Sequence, residues 1–314
     1  MRVLINSKIS QEHLGKIHAG FPTVEVLNTT DPQEALSLIQ EAEVLVTWWS
    51  NFSEEYLQSP SLRWVHTLSS GVDGLLLPPI VEGRIILSNS SGIHGIPISE
   101  HVFAMMLSFS RGLYHFGKNQ SHNLWQRDVQ LSELRGKTLG VIGLGKIGQE
   151  IARLGNAFGM RVLAVKRNPG QPPENVNRVV SMEGMEMVLK ESDYLVLTVP
   201  LTPETNNLIG TKQLELMNTA ILINVARGEV VDEGALITAL QQGAIAGAGL
   251  DVFETEPLDS ESSLWQLDNC IITPHCAALS PQYMARAIDL FCRNLEAYIQ
   301  GETLPTLVDP GRGY

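Results

Sequence analysis

The 314-residue chain is poor in cysteine, in positive charge and in long apolar runs. Its three cysteines, Cys270, Cys276 and Cys292, form no pair at metal-ligand spacing and cannot build a disulfide framework, so no metal site is expected. Lys and Arg total 22 against 34 Asp and Glu, a formal charge of −12. A phosphate backbone wants a basic face, so nucleic acid is excluded as a general partner. No apolar stretch approaches the roughly 18 residues of a membrane span, so no membrane partner is expected. The opening MRVLINSKIS turns polar after a short apolar run, which is no signal-peptide pattern, and a cytoplasmic address is the expectation. Charged residues make up only 18 %, but 44 % hydrophobic residues exclude a disordered chain.

What is present alternates. Short β-branched runs separate amphipathic stretches, the α/β pattern, and the length suits about two domains at roughly 150 residues each. Strands are predicted at 3–6, 24–27, 44–47, 64–67 and 85–87, with helical patterns at 11–18, 33–42 and 53–58. A stretch from Pro97 to about Asn119 has few breakers and reads as one long helix, with Val102, Met105, Met106 and Phe109 on one face. A second alternating set follows Gly136, with strands predicted at 138–142, 161–165, 194–198, 220–224, 247–250 and 271–273. Helices are predicted at 232–241 and 281–299, and the proline-rich 168–176 reads as a surface loop.

The strongest local motif is GLGKIG at 143–148, after the strand TLGVI and at the head of a helix whose apolar face is Ile147, Ile151, Leu154 and Phe158. Gly143 permits a tight turn, Gly145 lets backbone N–H groups reach a pyrophosphate, and Gly148 lets helix and strand pack closely. With the next strand in place, this predicts a dinucleotide site; a purely structural glycine turn is the alternative. At the end of that next strand, where an acid would hold the ribose hydroxyls, stand Lys166 and Arg167. Two cations there suit a 2′-phosphate, while a solvated basic loop is the plain alternative.

Three further stretches end or follow predicted strands, where open α/β sheets place ligands: NVARG at 224–228, GLDVFETEP at 249–257 and TPH at 273–275. Together they supply Arg227, Glu256 and His275. Arg can clamp a carboxylate in a bidentate fork, His can move a proton near neutral pH, and a carboxylate beside the His favours its charged form and sets its tautomer. Beside a nicotinamide, that set would interconvert a 2-keto acid and a 2-hydroxy acid. Taken singly, Arg227 could be a helix cap, Glu256 a surface charge and His275 a turn residue.

These motifs, with VPLTPET at 199–205 and the loop Ser69, Ser70, Gly71, Val72, Asp73, resemble the D-isomer-specific 2-hydroxyacid dehydrogenase family, in its glyoxylate/hydroxypyruvate reductase-like form. The resemblance runs through almost the whole chain to Arg312, Gly313 and Tyr314. Spacings of 29 residues from Arg227 to Glu256 and 19 from Glu256 to His275 also fit. It implies two Rossmann-like domains with parallel sheets: a cofactor domain, 98–284, inserted into a discontinuous flavodoxin-like substrate domain, 1–97 plus 285–314. It implies that Arg227 binds the substrate carboxylate and carbonyl oxygen, that His275 is the proton donor and acceptor, and that Glu256 supports the charged ring. Backbone groups at Ser70, Gly71 and Val72 would hold the substrate carboxylate. Gly143, Gly145, Lys146, Ile147 and Gly148 would face the cofactor with Pro200, Thr205 and Ala226, and Asp251 would contact the nicotinamide carboxamide. Lys166 stands where NAD-specific members carry an acid, so NADP(H) is favoured and NAD(H) is the alternative. A homodimer is implied, with 116–134 as an arm; the text there alone reads as a loop.

His94 and His101 read as structural. Trp48 and Trp49 suit either a substrate pocket or packing. The 48–53 loop holds no Arg or Lys, and no regulatory domain is expected after the last helix, so a phosphoglycerate-type dehydrogenase is disfavoured. A dinucleotide-sensing interaction protein, like the family's C-terminal-binding corepressors, is the alternative from another class; the absence of disordered or basic flanks favours the enzyme. Formate-oxidising relatives carry Gln at the place of Glu256, which disfavours formate. The expectation is therefore reduction of a small, unphosphorylated 2-keto acid, glyoxylate or hydroxypyruvate first.

Overall fold

The structure, a computed structural model, describes residues 1–72 and 74–311. Asp73 and Arg312, Gly313 and Tyr314, which the resemblance includes, lie outside the described residues. The chain forms two compact units, one from 1–94 with 280–314 and the other from 95–279. The second is thus a continuous insertion in a discontinuous first. The divisions at 94/95 and 279/280 differ from the expected 97/98 and 284/285, which fall inside the first turns of the helices Gly95–Ser110 and Tyr283–Gln300.

In the discontinuous unit, β1 (Arg2–Asn6), β2 (Glu25–Thr29), β3 (Val44–Thr47), β4 (Trp64–Thr67) and β5 (Ile86–Ser88) form a parallel sheet of order β2-β1-β3-β4-β5. That is the flavodoxin-like order. Its strands are apolar on both faces, as buried parallel strands must be. Leu4, Leu45, Val65 and Leu87 enter one core, and Val3, Ile5, Val44, Val46 and Trp64 the other. The C-terminal helix Tyr283–Gln300 closes the second core with Ala287, Ile288, Phe291 and Leu295. Phe291 stacks on Trp64 with ring centres 5.6 Å apart. The predicted helix at 53–58 is a 3-10 helix, Glu54–Gln58.

In the inserted unit, β6 (Thr138–Ile142), β7 (Arg161–Val165), β8 (Arg178–Val180), β9 (Tyr194–Leu197), β10 (Ile221–Asn224), β11 (Gly247–Leu250) and β12 (Cys270–Ile272) form a second parallel sheet. Its order, β12-β11-β10-β9-β6-β7-β8, is the Rossmann order extended by one strand. Successive residues again serve opposite cores: Tyr194 and Val196 lie on one side, Leu195 and Leu197 on the other. The edge strand β8 was not predicted; it has three residues, none buried.

The long helix predicted from Pro97 to Asn119 is two helices, Gly95–Ser110 and Leu113–Ser121. Gly112 separates them at φ +65, a left-handed conformation, and a Cβ there would press on Leu131 at 3.0 Å. Part of the expected arm, up to Ser121, is therefore helical. Val102, Met105 and Met106 are buried as the expected face requires. Phe158 is partly exposed, yet it stacks on Phe103 with centres 4.9 Å apart.

Candidate active site

Because the inserted sheet is parallel, the segments following β6, β7, β9, β10, β11 and β12 all leave its carboxyl edge. Every expected site residue of this unit lies on those segments. At the head of the helix Lys146–Ala157, Gly143 takes φ +103, and its carbonyl accepts a 2.6 Å bond from the Thr198 hydroxyl. A Cβ on Gly148 would overlap the Gly143 carbonyl oxygen, so only glycine lets helix and turn meet. A Cβ on Gly145, by contrast, would meet nothing within 4 Å. The loop therefore has open space over Gly145 and backbone N–H groups at a helix start beside it, which fits a pyrophosphate.

Lys166 follows β7 and its backbone N–H bonds to Val180 at 2.9 Å, leaving the side chain exposed. Arg167 is exposed and faces Glu204 on the 199–205 segment. Glu204 is held below the usual carboxylate range by the Thr202 hydroxyl first, with the Arg167 charge a smaller cause. Thr205 shapes that segment: its hydroxyl donates to the Pro200 carbonyl at 2.6 Å and accepts from the Thr202 N–H at 2.8 Å.

After β10, the buried Asn224 accepts from the Ala226 N–H at 3.0 Å and donates to the Arg227 carbonyl at 2.9 Å. These bonds hold the turn that carries the half-buried Arg227, whose Nη1 donates to the Ala226 carbonyl at 2.7 Å. Glu256 uses both oxygens: Oε1 accepts from the Phe253 N–H at 3.1 Å and Oε2 from His275 Nδ1 at 2.7 Å. A carboxylate can only accept, so Nδ1 carries a proton. His275 sits at φ +51, a left-handed conformation uncommon for any residue with a side chain.

Asp251 is 2 % exposed, and its bonds run inward. Oδ1 accepts from the Thr273 hydroxyl at 2.5 Å and the Cys276 N–H at 2.9 Å, Oδ2 from the Ala277 N–H at 2.9 Å, and its backbone carbonyl from the His275 N–H at 2.8 Å. Sequence reasoning gave Asp251 a cofactor contact and missed this clamp on the turn that carries His275. It also assigned nothing to Thr198, Asn224 or Thr273, although all lie in or beside quoted motifs. Among the described residues, one set of potential metal ligands converges: His101, Asp251 and Cys276, within 4.8 Å of one another. The bonds just given already engage both Asp251 oxygens. The Cys276 thiol is pushed up by burial and then by the Asp251 charge, which disfavours a thiolate ligand.

The discontinuous unit holds the other expected residues. The 69–72 segment follows β4; the Ser69 hydroxyl bonds to the Gly71 carbonyl at 2.8 Å, and Asn89 donates to the Ser70 carbonyl at 2.8 Å. Both place Ser70 and Gly71 at the carboxyl edge of the sheet, with Val72 buried beneath. Trp48 follows β3, donates to the Ser7 hydroxyl at 3.1 Å and packs on Tyr283 at 5.3 Å, while Trp49 is 61 % exposed.

The family profile for the D-isomer specific 2-hydroxyacid dehydrogenase, NAD binding domain, matches residues 103–277. A glyoxylate reductase of Pyrococcus furiosus is 38 % identical over 288 residues, covering 88 % of this chain and 85 % of the relative. Among solved structures, a D-isomer specific 2-hydroxyacid dehydrogenase family protein from Aeromonas salmonicida superposes with a TM-score of 0.89 at 34 % identity, covering 98 % of this chain and 99 % of the other. The NADPH-dependent glyoxylate/hydroxypyruvate reductase of Sinorhizobium meliloti, in complex with NADP and sulfate, gives a TM-score of 0.86 at 28 % identity, covering 100 % and 99 %. The chain belongs to the D-isomer specific 2-hydroxyacid dehydrogenase family. It is an NAD(P)-dependent oxidoreductase that moves hydride between a nicotinamide cofactor and a 2-hydroxy or 2-keto acid.

Proposed function

We propose that the protein reduces a small, unphosphorylated 2-keto acid, glyoxylate or hydroxypyruvate, with NADPH preferred over NADH. The observation that carries the chemistry is the 2.7 Å bond from His275 Nδ1 to Glu256, on the same sheet edge as Arg227 and the glycine loop. With Nδ1 committed to Glu256, His275 exchanges its proton with the substrate oxygen through Nε2. Glu256 stabilises the ring while it carries charge. Arg227 grips the substrate carboxylate and draws electron density onto the carbonyl oxygen. In the discontinuous unit, the backbone N–H groups at Ser70, Gly71 and Val72 are the carboxylate donors of this reading. The nicotinamide cofactor, when bound, supplies the hydride. Gly143, Gly145, Lys146, Ile147 and Gly148 hold its pyrophosphate, Pro200, Thr205 and Ala226 line its path, and Asp251 serves its nicotinamide end.

The cofactor preference rests on Lys166 and Arg167 where a ribose-binding acid would stand, and the name of the S. meliloti relative points the same way. The substrate class rests on the glyoxylate reductase relatives and on the absence of Lys or Arg at 48–53. A homodimer through the 116–134 segment, where Trp125 is 91 % exposed, and a cytoplasmic location complete the reading. Initial rates with glyoxylate, hydroxypyruvate, pyruvate, phenylpyruvate and 3-phosphohydroxypyruvate, each with NADPH and NADH, test it. The two small acids with NADPH should give the highest kcat/KM; preference for the phosphorylated acid would refute the assignment.

A further inference from the structure

One polar side chain that the mechanism does not use touches the turn that carries its proton donor. His101, in the second turn of the helix Gly95–Ser110, brings Nε2 to 3.0 Å from the Thr273 hydroxyl and 3.7 Å from Asp251 Oδ1. The geometry points to His101 as a positioning residue for the proton donor, acting through Thr273 and Asp251; the inference rests on the reading of His275 as that donor.

Proton accounting sets the direction of the chain. Thr273 has one hydroxyl hydrogen and gives it to Asp251 Oδ1 at 2.5 Å. Toward His101 it can only accept, so His101 Nε2 carries a hydrogen. Nε2–H is present in one neutral tautomer and in the charged ring, so the link does not depend on the ring's charge. Asp251, so anchored, clamps three consecutive residues: His275 by its backbone carbonyl, Cys276 and Ala277 by its carboxylate. The donor needs that clamp, because φ +51 at His275 persists only where the surroundings enforce it. The chain is partly buried, with Asp251 its buried member, so removing the helix-borne end should loosen the turn at its far end. His101 touches no reacting atom in this scheme. Its effect should fall on kcat and spare substrate affinity, which the proposed function gives to Arg227.

The test compares wild type with His101→Ala, His101→Gln, Thr273→Val and the His101→Ala/Thr273→Val pair, using glyoxylate at saturating NADPH. His101→Ala and Thr273→Val should each lower kcat about five- to tenfold with KM within about twofold. His101→Gln keeps an N–H donor and should recover most of the loss. The double variant should be no worse than the poorer single variant, because both break one chain. Wild-type kcat in His101→Ala, a His101→Gln as impaired as the alanine variant, or multiplicative losses in the pair would each overturn the inference. If His101→Ala does not fold, Thr273→Val and His101→Gln carry the same decision. His275→Ala keeps this separate from the underlying reading. If that variant turns over normally, the donor assignment and this inference both fall. If it is inactive while the His101 and Thr273 variants keep full kcat, the inference alone is wrong.

Discussion

Replacing Glu256 by Gln turns two acceptor atoms into one. Glu256 accepts from the Phe253 N–H at 3.1 Å and from His275 Nδ1 at 2.7 Å, through different oxygens. A Gln amide has a single oxygen, and its NH2 group can only donate. If the oxygen stays on Phe253, the amide nitrogen faces Nδ1 and drives the proton off it, disfavouring the charged ring. If the oxygen turns to His275, the Phe253 N–H loses its partner and the turn before the cis Glu256–Pro257 bond loosens. Hydrogen bonds to charged groups contribute about 1.5–3 kcal/mol. The two side chains are 49 % and 35 % exposed, so solvent screening brings this to about 1–2 kcal/mol. The expected consequence is a kcat for 2-keto acid reduction lowered roughly five- to thirtyfold, with cofactor affinity unchanged. Stopped-flow turnover with NADPH, beside a cofactor titration of the same preparation, measures both. A Glu256→Gln variant with wild-type kcat would refute the role given to this carboxylate.

Buried His66, between Ser88 and Ser90, has its pKa pushed down to about 3 by burial, so it stays neutral in the folded chain. Unfolded, it titrates near 6.5, so the unfolded chain binds more protons as pH falls below that value. Stability from this group is full above about pH 6.5 and should fall by about 2 kcal/mol from pH 7 to pH 5; urea unfolding of wild type against His66→Gln isolates it, and equal slopes would contradict it. Arg167→Ala should lower kcat/KM for NADPH about tenfold and leave NADH nearly unchanged, as initial rates with both cofactors will show. Gly148→Ala drives a Cβ onto the Gly143 carbonyl oxygen and should cost about 1–3 kcal/mol of stability and weaken cofactor binding, read by thermal unfolding and a cofactor titration.

Much of this was legible because buried parallel strands are written as unbroken apolar runs. The bounds of β3, β4, β6, β7 and β11 match the sequence reading residue for residue. Strand β8 was not legible, since an exposed three-residue edge carries no such run. The break at Gly112 was present in the letters, but one glycine in an apolar helix does not announce a positive φ. Arg227, Glu256 and His275 stood out by residue type and spacing. What holds them did not, because it is long-range: His101 and Thr273 are 172 residues apart, and Asp251 bonds across 25 and 26 residues to Cys276 and Ala277. No local pattern encodes such pairings. The left-handed backbone of His275 follows from those bonds and was equally invisible.

The central claim is that His275 delivers the proton while hydride reaches a small 2-keto acid. Single-turnover reduction of glyoxylate by NADPH in His275→Ala, with cofactor binding measured on the same sample, tests it most directly. A rate lowered by a factor on the order of 100 or more, with cofactor affinity intact, is the result expected; turnover near that of wild type would contradict it.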